Sequence, residues 1–236
     1  MRPAKTFLLR LRRRAAESAG LDWYSRPALN GLDRKLERWL DFDGGFFVEA
    51  GAYDGFAQSN TYYLEKFRGW RGILVEPLPE LCARCRRERS HSVVVNAALV
   101  GPDHPHPDIE VRFAGLMSVS AGAFGDAESC RRHLEAGLRQ KGVAGTYAVL
   151  VPARTLGAII ADQAGDRTVD LLSLDVEGAE LAALSGLDLA GHAPRFICVE
   201  ARQPAAVLEL LASSYEQVAV LFDSGTHQDL LFRRKS

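Results

Sequence analysis

The sequence predicts an α/β domain built on a mostly parallel sheet with helices on both faces. Three observations carry this expectation. Short apolar runs alternate with helix-spaced segments along most of the 236 residues, the pattern of repeated strand–helix units. The run at 169–174 is almost continuously apolar, as befits a strand covered on both faces. Polar residues, mostly acids, follow five separate apolar runs, at the strand ends where open α/β sheets collect their ligands.

Residues 1–42 read as a basic helical cap or lid. Leu8, Leu9 and Leu11 sit among Arg10, Arg12, Arg13 and Arg14, and Leu32, Leu36, Trp39 and Leu40 recur at helical spacing. The arginines are expected in solvent. Contact with an anionic surface is the sharper alternative, and the narrow apolar face weighs against it.

The body then runs 43–236. A strand at 46–50 leads to a helix at 59–67, with Ser59 or Gln58 near its start. A strand at 72–75 ends at Glu76-Pro77, and a helix at 78–88 and a strand at 92–96 follow. Residues 101–146 break the rhythm with Gly-Pro-Asp-His-Pro-His-Pro and read as an insertion, holding a strand at 109–113 and a helix at 127–139. Within it, 115–120 reads as a loop over the ligand. Alternation resumes with strands at 147–151, 169–174 and 196–199, the last ending in Glu200, and helices at 155–162, 179–184 and 204–212. Strands at 217–222 and 229–232, joined by 223–227, are close enough for an antiparallel hairpin.

Composition excludes several classes. Hydrophobic content of 47% supports a full core, and a net charge of −1 gives no general pull towards nucleic acid. No run of 18 apolar residues is present, so no membrane span is expected. The first residues do not read as a signal peptide, which makes a cytoplasmic location the expectation. Cys82 and Cys85 form a lone C-x-x-C, distant from Cys130 and Cys198. A zinc site would need a second pair, so the thiols are expected reduced and structural.

The most informative stretch is Glu49-Ala50-Gly51-Ala52-Tyr53-Asp54-Gly55. A strand runs into a turn whose glycines admit positive φ and a close approach to bare backbone. The turn is not G-x-G-x-x-G, and Glu49 and Asp54 would repel a pyrophosphate. They would attract the ammonium and sulfonium of S-adenosylmethionine (SAM). This disfavours a nicotinamide-dependent enzyme.

The blocks FVEAGAYDG (47–55), SNTYYLE (59–65), GILVEP (72–77), NAALV (96–100), VPARTL (151–156), DLLSLDVEGAE (170–180) and FICVE (196–200) together resemble the FkbM family of SAM-dependent methyltransferases. The resemblance covers most of 46–200. It implies the Rossmann-like class I methyltransferase fold, a mostly parallel seven-stranded sheet with a terminal antiparallel strand. It also implies roles. Gly51, Ala52 and Gly55, beside Tyr53, would lie against the methionine moiety, and Glu49 or Asp54 would face its ammonium. Glu76, next to Pro77, would accept the ribose hydroxyls, a task that suits a charged acceptor. Asn96 and Ala97 would border the adenine. Ser59 and Asn60 would cap the first helix or touch the cofactor carboxylate.

Asp175 and Glu177 would stand near the reacting methyl. With Glu200 they are candidates for base, for acceptors of substrate hydroxyls, or for ligands of Mg2+, an ion that prefers carboxylate oxygens. Glu180 reads as a helix-start acid favoured by the macrodipole. His192 and His227 are alternative bases, while His104 and His106 are expected in solvent. The expected activity is O-methylation of a small molecule such as a sugar, a polyketide or another secondary metabolite. N- or carboxyl-methylation, a macromolecular acceptor and a non-catalytic interaction module stay open, as does a homo-oligomer.

Overall fold

The structure, a computed structural model, describes residues 3–115, 118–120, 127–139 and 145–235. Helix α1 (Pro3–Ser18) leads to a 3-10 turn (Leu29–Gly31) and the short α2 (Leu32–Leu36). The elements β1 (Phe46–Ala50), α3 (Tyr62–Phe67), β2 (Arg71–Val75), α4 (Pro79–Glu88) and β3 (Val93–Val95) form the first repeats. Next come β4 (Ala98–Leu99), β5 (Asp108–Arg112), β6 (Val119–Ser120), α5 (Ala127–Leu138) and β7 (Ala148–Arg154). The repeats resume with α6 (Leu156–Ala164), β8 (Leu171–Leu174), α7 (Glu180–Ser185), β9 (Phe196–Ala201) and α8 (Pro204–Leu211). The hairpin of β10 (Tyr215–Asp223) and β11 (Gln228–Arg234) follows.

Seven strands form the main sheet in the order β10-β11-β9-β8-β1-β2-β3. β1 runs parallel to β2 and β8, β2 to β3, and β8 to β9. β11 is antiparallel to β9 and β10. This is the Rossmann-like class I methyltransferase arrangement that the sequence predicts. The chain grows outward from β1 to β3 and then returns to β8 on the other side of β1. That reversal is a switch point, and it opens a crevice beyond the carboxyl ends of β1 and β8.

One strand lies elsewhere than its place in the sequence rhythm suggests. The run at 147–151 belongs to β7, which joins a second sheet in the order β4-β7-β5-β6. The reason is one-sided burial. Val151 is buried while Leu150 and Pro152 are exposed, so β7 cannot occupy the doubly covered middle of a parallel sheet. Of the loop expected at 115–120, Leu116 and Met117 lie outside the described residues.

All five β1 residues are buried, and their alternation feeds two cores. Val48 and Ala50 pack with Ile73, Leu172 and Ile197 on one face. Phe47 packs with Leu74, Leu171, Trp70, Leu36 and Leu40 on the other. The basic N-terminal helix is not wholly solvated as expected. Arg13 is only 3% exposed, because its guanidinium carbon lies 3.6 Å from the Phe56 ring centroid and pairs with Glu88. Among the described residues no helix is long and apolar enough to cross a membrane.

β2 meets β1 closely at Gly72, whose register partner is Phe47. A Cβ at Gly72 would lie 2.3 Å from the Phe47 carbonyl oxygen and 2.4 Å from its ring. Gly72→Ala is therefore expected to overpack the sheet and destabilise the fold by about 1–3 kcal/mol, read from urea unfolding midpoints.

Candidate active site

The crevice at the switch point holds a cleft of about 900 Å³. Its walls come from the ends of β1, β2 and β8 and from the insertion. Of the residues singled out in the sequence, Glu49, Gly51, Tyr53, Asn60, Glu76, Pro77, Ala97, Asp175 and Glu177 line it. Ala52, Asp54, Gly55, Ser59 and Asn96 are not on its walls; several of them hold its loops. Glu200 lines an adjoining pocket of about 390 Å³, with Asn30, His227 and Asp229. Gln58, Asn60 and Asp175 belong to both spaces and form the partition between them.

The turn after β1 is fixed by hydrogen bonds from several directions. Gly51 and Ala52 each donate to the Val75 carbonyl at 3.1 Å. Gly51 has φ +84°, and a Cβ there would lie 1.8 Å from the Asp175 carbonyl oxygen. Only glycine lets the β1 and β8 ends come this close. Asp54 Oδ1 accepts from the amides of Phe56 and Ala57 at 3.1 and 2.8 Å, closing a turn. Glu49 Oε1 accepts from Asn60 N at 2.8 Å. Its Oε2 accepts from Ser59 Oγ at 2.8 Å, Thr61 Oγ1 at 2.7 Å and Arg89 Nη1 at 3.3 Å. These bonds hold 59–61 out of helix, so α3 starts at Tyr62 rather than at Ser59. Ser59 Oγ still accepts from the amide of Tyr62 at 3.1 Å, as a cap would.

Arg89, at the C-terminal end of α4, is a part of this network that the sequence did not announce. It is fully buried and bridges Glu49 to Glu65, whose Oε2 accepts from Nε at 3.0 Å. It also donates to the Gly55 carbonyl and to Thr61 Oγ1. A signal was present: Leu78, Leu81, Cys82, Cys85 and Arg89 share one helical face, which buries position 89.

Glu76, just past β2, is buried and held by two backbone donors. Tyr53 N donates to Oε2 at 2.8 Å and Leu78 N to Oε1 at 2.9 Å. Burial pushes its carboxyl up to about 8, against the pull of these two amides. Asn96 does not border the cleft. Its amide donates to the carbonyls of Glu76 and Pro77 at 2.9 and 2.7 Å, locking the loop that carries the acid.

At the other side, ligand atoms of Asp175, Glu177 and Glu200 lie within 4.8 Å of one another. Burial raises the Asp175 carboxyl well above the usual range, and Glu200 and Glu177 push the same way. Burial and Glu177 likewise raise Glu200. Two of the three acids already have cationic partners. Arg202 Nη2 reaches Glu177 at 2.5 Å and Glu200 at 3.6 Å. His133 from the insertion lies 3.2 Å from Glu177, and His227 lies 3.7 Å from Glu200. Arg202 and His133 were not anticipated from sequence. His192 pairs with Asp188. Asp175 Oδ1 and Asn60 Oδ1 are buried without a hydrogen-bond partner.

Backbone strain gathers here as well. Among the described residues, the non-glycine positions with positive φ are Asn30, Tyr53, Gln58 and Glu177, and all four line one of the two spaces. Such conformations cost about 1–3 kcal/mol each and persist where surrounding structure enforces them, most often at functional sites.

Residues 49–222 match the family described as the methyltransferase FkbM domain. No curated protein matches the sequence. Several solved structures are similar. One is a TehB-like SAM-dependent methyltransferase from Corynebacterium glutamicum, at 14% identity over 99% of this chain and 100% of that one, TM-score 0.43. Another is fibrillarin from Aeropyrum pernix in complex with S-adenosyl-L-methionine, at 13% identity over 81% and 67%, TM-score 0.43. A third is a human methyltransferase 10 domain containing protein, at 9% identity over 86% and 81%, TM-score 0.45.

Two outcomes are expected. Arg89→Met strands Glu49 and Glu65 as buried charges and destabilises the protein by about 3–5 kcal/mol in denaturant titrations. The second concerns pH. Glu76 ionises near its ordinary 4.5 when unfolded but holds its proton to about 8 when folded. Between those values the folded state binds more protons than the unfolded one, so stability falls as pH rises. Glu76→Gln flattens that decline, seen as a smaller change in unfolding midpoint between the two pH limits.

Proposed function

The chain belongs to the FkbM methyltransferase family, and on that premise we propose that it transfers the methyl of SAM to a hydroxyl of a small acceptor, such as a sugar or polyketide. The observation that carries the reading is the position of Asp175. It stands in the partition between the larger cleft and the smaller pocket, with one carboxylate oxygen buried and unpartnered. Donor and acceptor can thus approach it from opposite sides.

The residues present fit SAM by their chemistry. Each Glu76 oxygen receives one backbone amide and keeps a lone pair for a ribose hydroxyl. Asn60 Oδ1 is a buried acceptor awaiting a donor, which suits the ammonium. Glu49 and Asp54, expected at that ammonium, direct much of their hydrogen bonding inward, which favours Asn60 for the role. Gly51 presents bare backbone on the cleft wall, against which the methionine moiety can lie. When bound, SAM supplies an electrophilic methyl on a positive sulfur.

Asp175 then takes the proton of the acceptor hydroxyl. Its raised pKa makes the ionised form a better base than an exposed aspartate. Glu177 and Glu200 are held by Arg202, His133 and His227, so they shape and charge the pocket while Asp175 keeps its free oxygen. The carboxylates of Asp175, Glu200 and Asp229 disfavour a carboxylate acceptor by repulsion, which supports a hydroxyl. The three clustered acids suit Mg2+ by ligand type. The arrangement does not suit a resident ion, because the Arg202 guanidinium already bridges Glu177 and Glu200. No step is assigned to a metal.

Methyl transfer to a panel of hydroxylated acceptors tests the reading. Asp175→Asn is expected to lower turnover by ~10²–10⁴. Its SAM affinity stays within about tenfold, ~1.4 kcal/mol. Glu76→Ala does the reverse and weakens SAM binding first. Full turnover in Asp175→Asn would remove Asp175 as the base.

A further inference from the structure

The outer part of α1 is not used by the site. Every side chain from Phe7 to Arg12 is exposed, so the helix overhangs the body. It is anchored farther along. Arg13 stacks on Phe56 and pairs with Glu88, Ala16 is buried, and Tyr62 donates to Glu17 at 2.8 Å.

At 100° per residue, Phe7, Leu8 and Leu11 fall within one ~100° arc, opposite Arg13 and Ala16. They are 64%, 50% and 48% exposed. Arg10 and Arg14 border the arc on one side and Arg12 on the other. The helix carries five basic residues against one acid, in a chain whose net charge is −1. An apolar stripe edged by arginines, facing away from its own protein, needs a partner that is apolar at depth and anionic at its rim.

We propose that α1 docks this protein on an anionic lipid surface, with Phe7, Leu8 and Leu11 in the acyl boundary and Arg10, Arg12 and Arg14 at the headgroups. Arginine stems lie along apolar surface while their heads stay in the polar layer, which fits their place beside the stripe. A second copy of the chain fits poorly. Pairing two stripes would bring six arginines together, and the helix's one acid, Glu17, is already taken by Arg13, Ser25 and Tyr62.

Sedimentation of the full chain with vesicles tests this. Binding is expected to vesicles of phosphatidylglycerol and phosphatidylcholine in equal parts, to fade at high salt, and to be absent with phosphatidylcholine alone. Arg10→Gln with Arg14→Gln should lower partitioning by about tenfold or more. Phe7→Asp with Leu11→Asp should abolish it, while circular dichroism, unfolding midpoint and SAM affinity stay unchanged because these side chains touch solvent. Failure to bind anionic vesicles would overturn the proposal, as would binding that survives Phe7→Asp with Leu11→Asp. A dimer dissolved by that same pair would assign the face to a second copy instead.

Discussion

Glu49 lies at the carboxyl end of β1 with its two oxygens shared among four donors. A buried carboxylate persists only when its desolvation is offset by well-aligned partners. Here Arg89 supplies the charge, and Ser59, Asn60 and Thr61 supply the remaining bonds. That requirement bends 59–61 out of helix, and Asn60 in turn donates to Ser173 Oγ at 3.0 Å across the gap to β8. The cleft therefore owes its floor to one ion pair behind it. The same guanidinium reaches Glu65 on α3 and the Gly55 carbonyl, so strand, helix and turn are fixed together.

The front of the cleft follows the opposite rule. Asp175, Glu177, Glu200 and Asp229 crowd one rim, and burial raises the carboxyls of Asp175, Glu200 and Asp229. Arg202 answers part of this charge, while Asp175 Oδ1 is left unpartnered. Networks completed behind the wall and an incomplete set on its face are what a ligand site requires, since a saturated face has nothing to offer. The left-handed residues Tyr53, Gln58 and Glu177 lie on the same wall, held there by the bonded loops.

The architecture was legible because its signals are local. Continuous burial wrote 46–50 and 169–174 as apolar runs, and the turn after β1 needs a glycine at 51, where the Asp175 carbonyl leaves no room for Cβ. Glu76 and Asp175 were legible as polar residues directly after apolar strands. The misses are long-range. Nothing near Arg89 in sequence announces Glu49, 40 residues away, although the helical face of α4 hinted at its burial. His133 reaches Glu177 only because the insertion folds back over the rim. Strand 147–151 looked like another repeat, and only its one-sided burial sends β7 to the second sheet. Asn30 joins the smaller pocket through a segment with no motif at all.

The central claim is that a cationic donor is gathered by acids whose protons are held up by burial. Calorimetric titration with SAM near neutral pH, repeated in buffers of differing ionisation enthalpy, reads this directly. The account predicts one binding site per chain and net release of protons on binding, as the raised carboxyls ionise towards the ligand. Absence of binding at millimolar SAM, or binding with proton uptake, would contradict it.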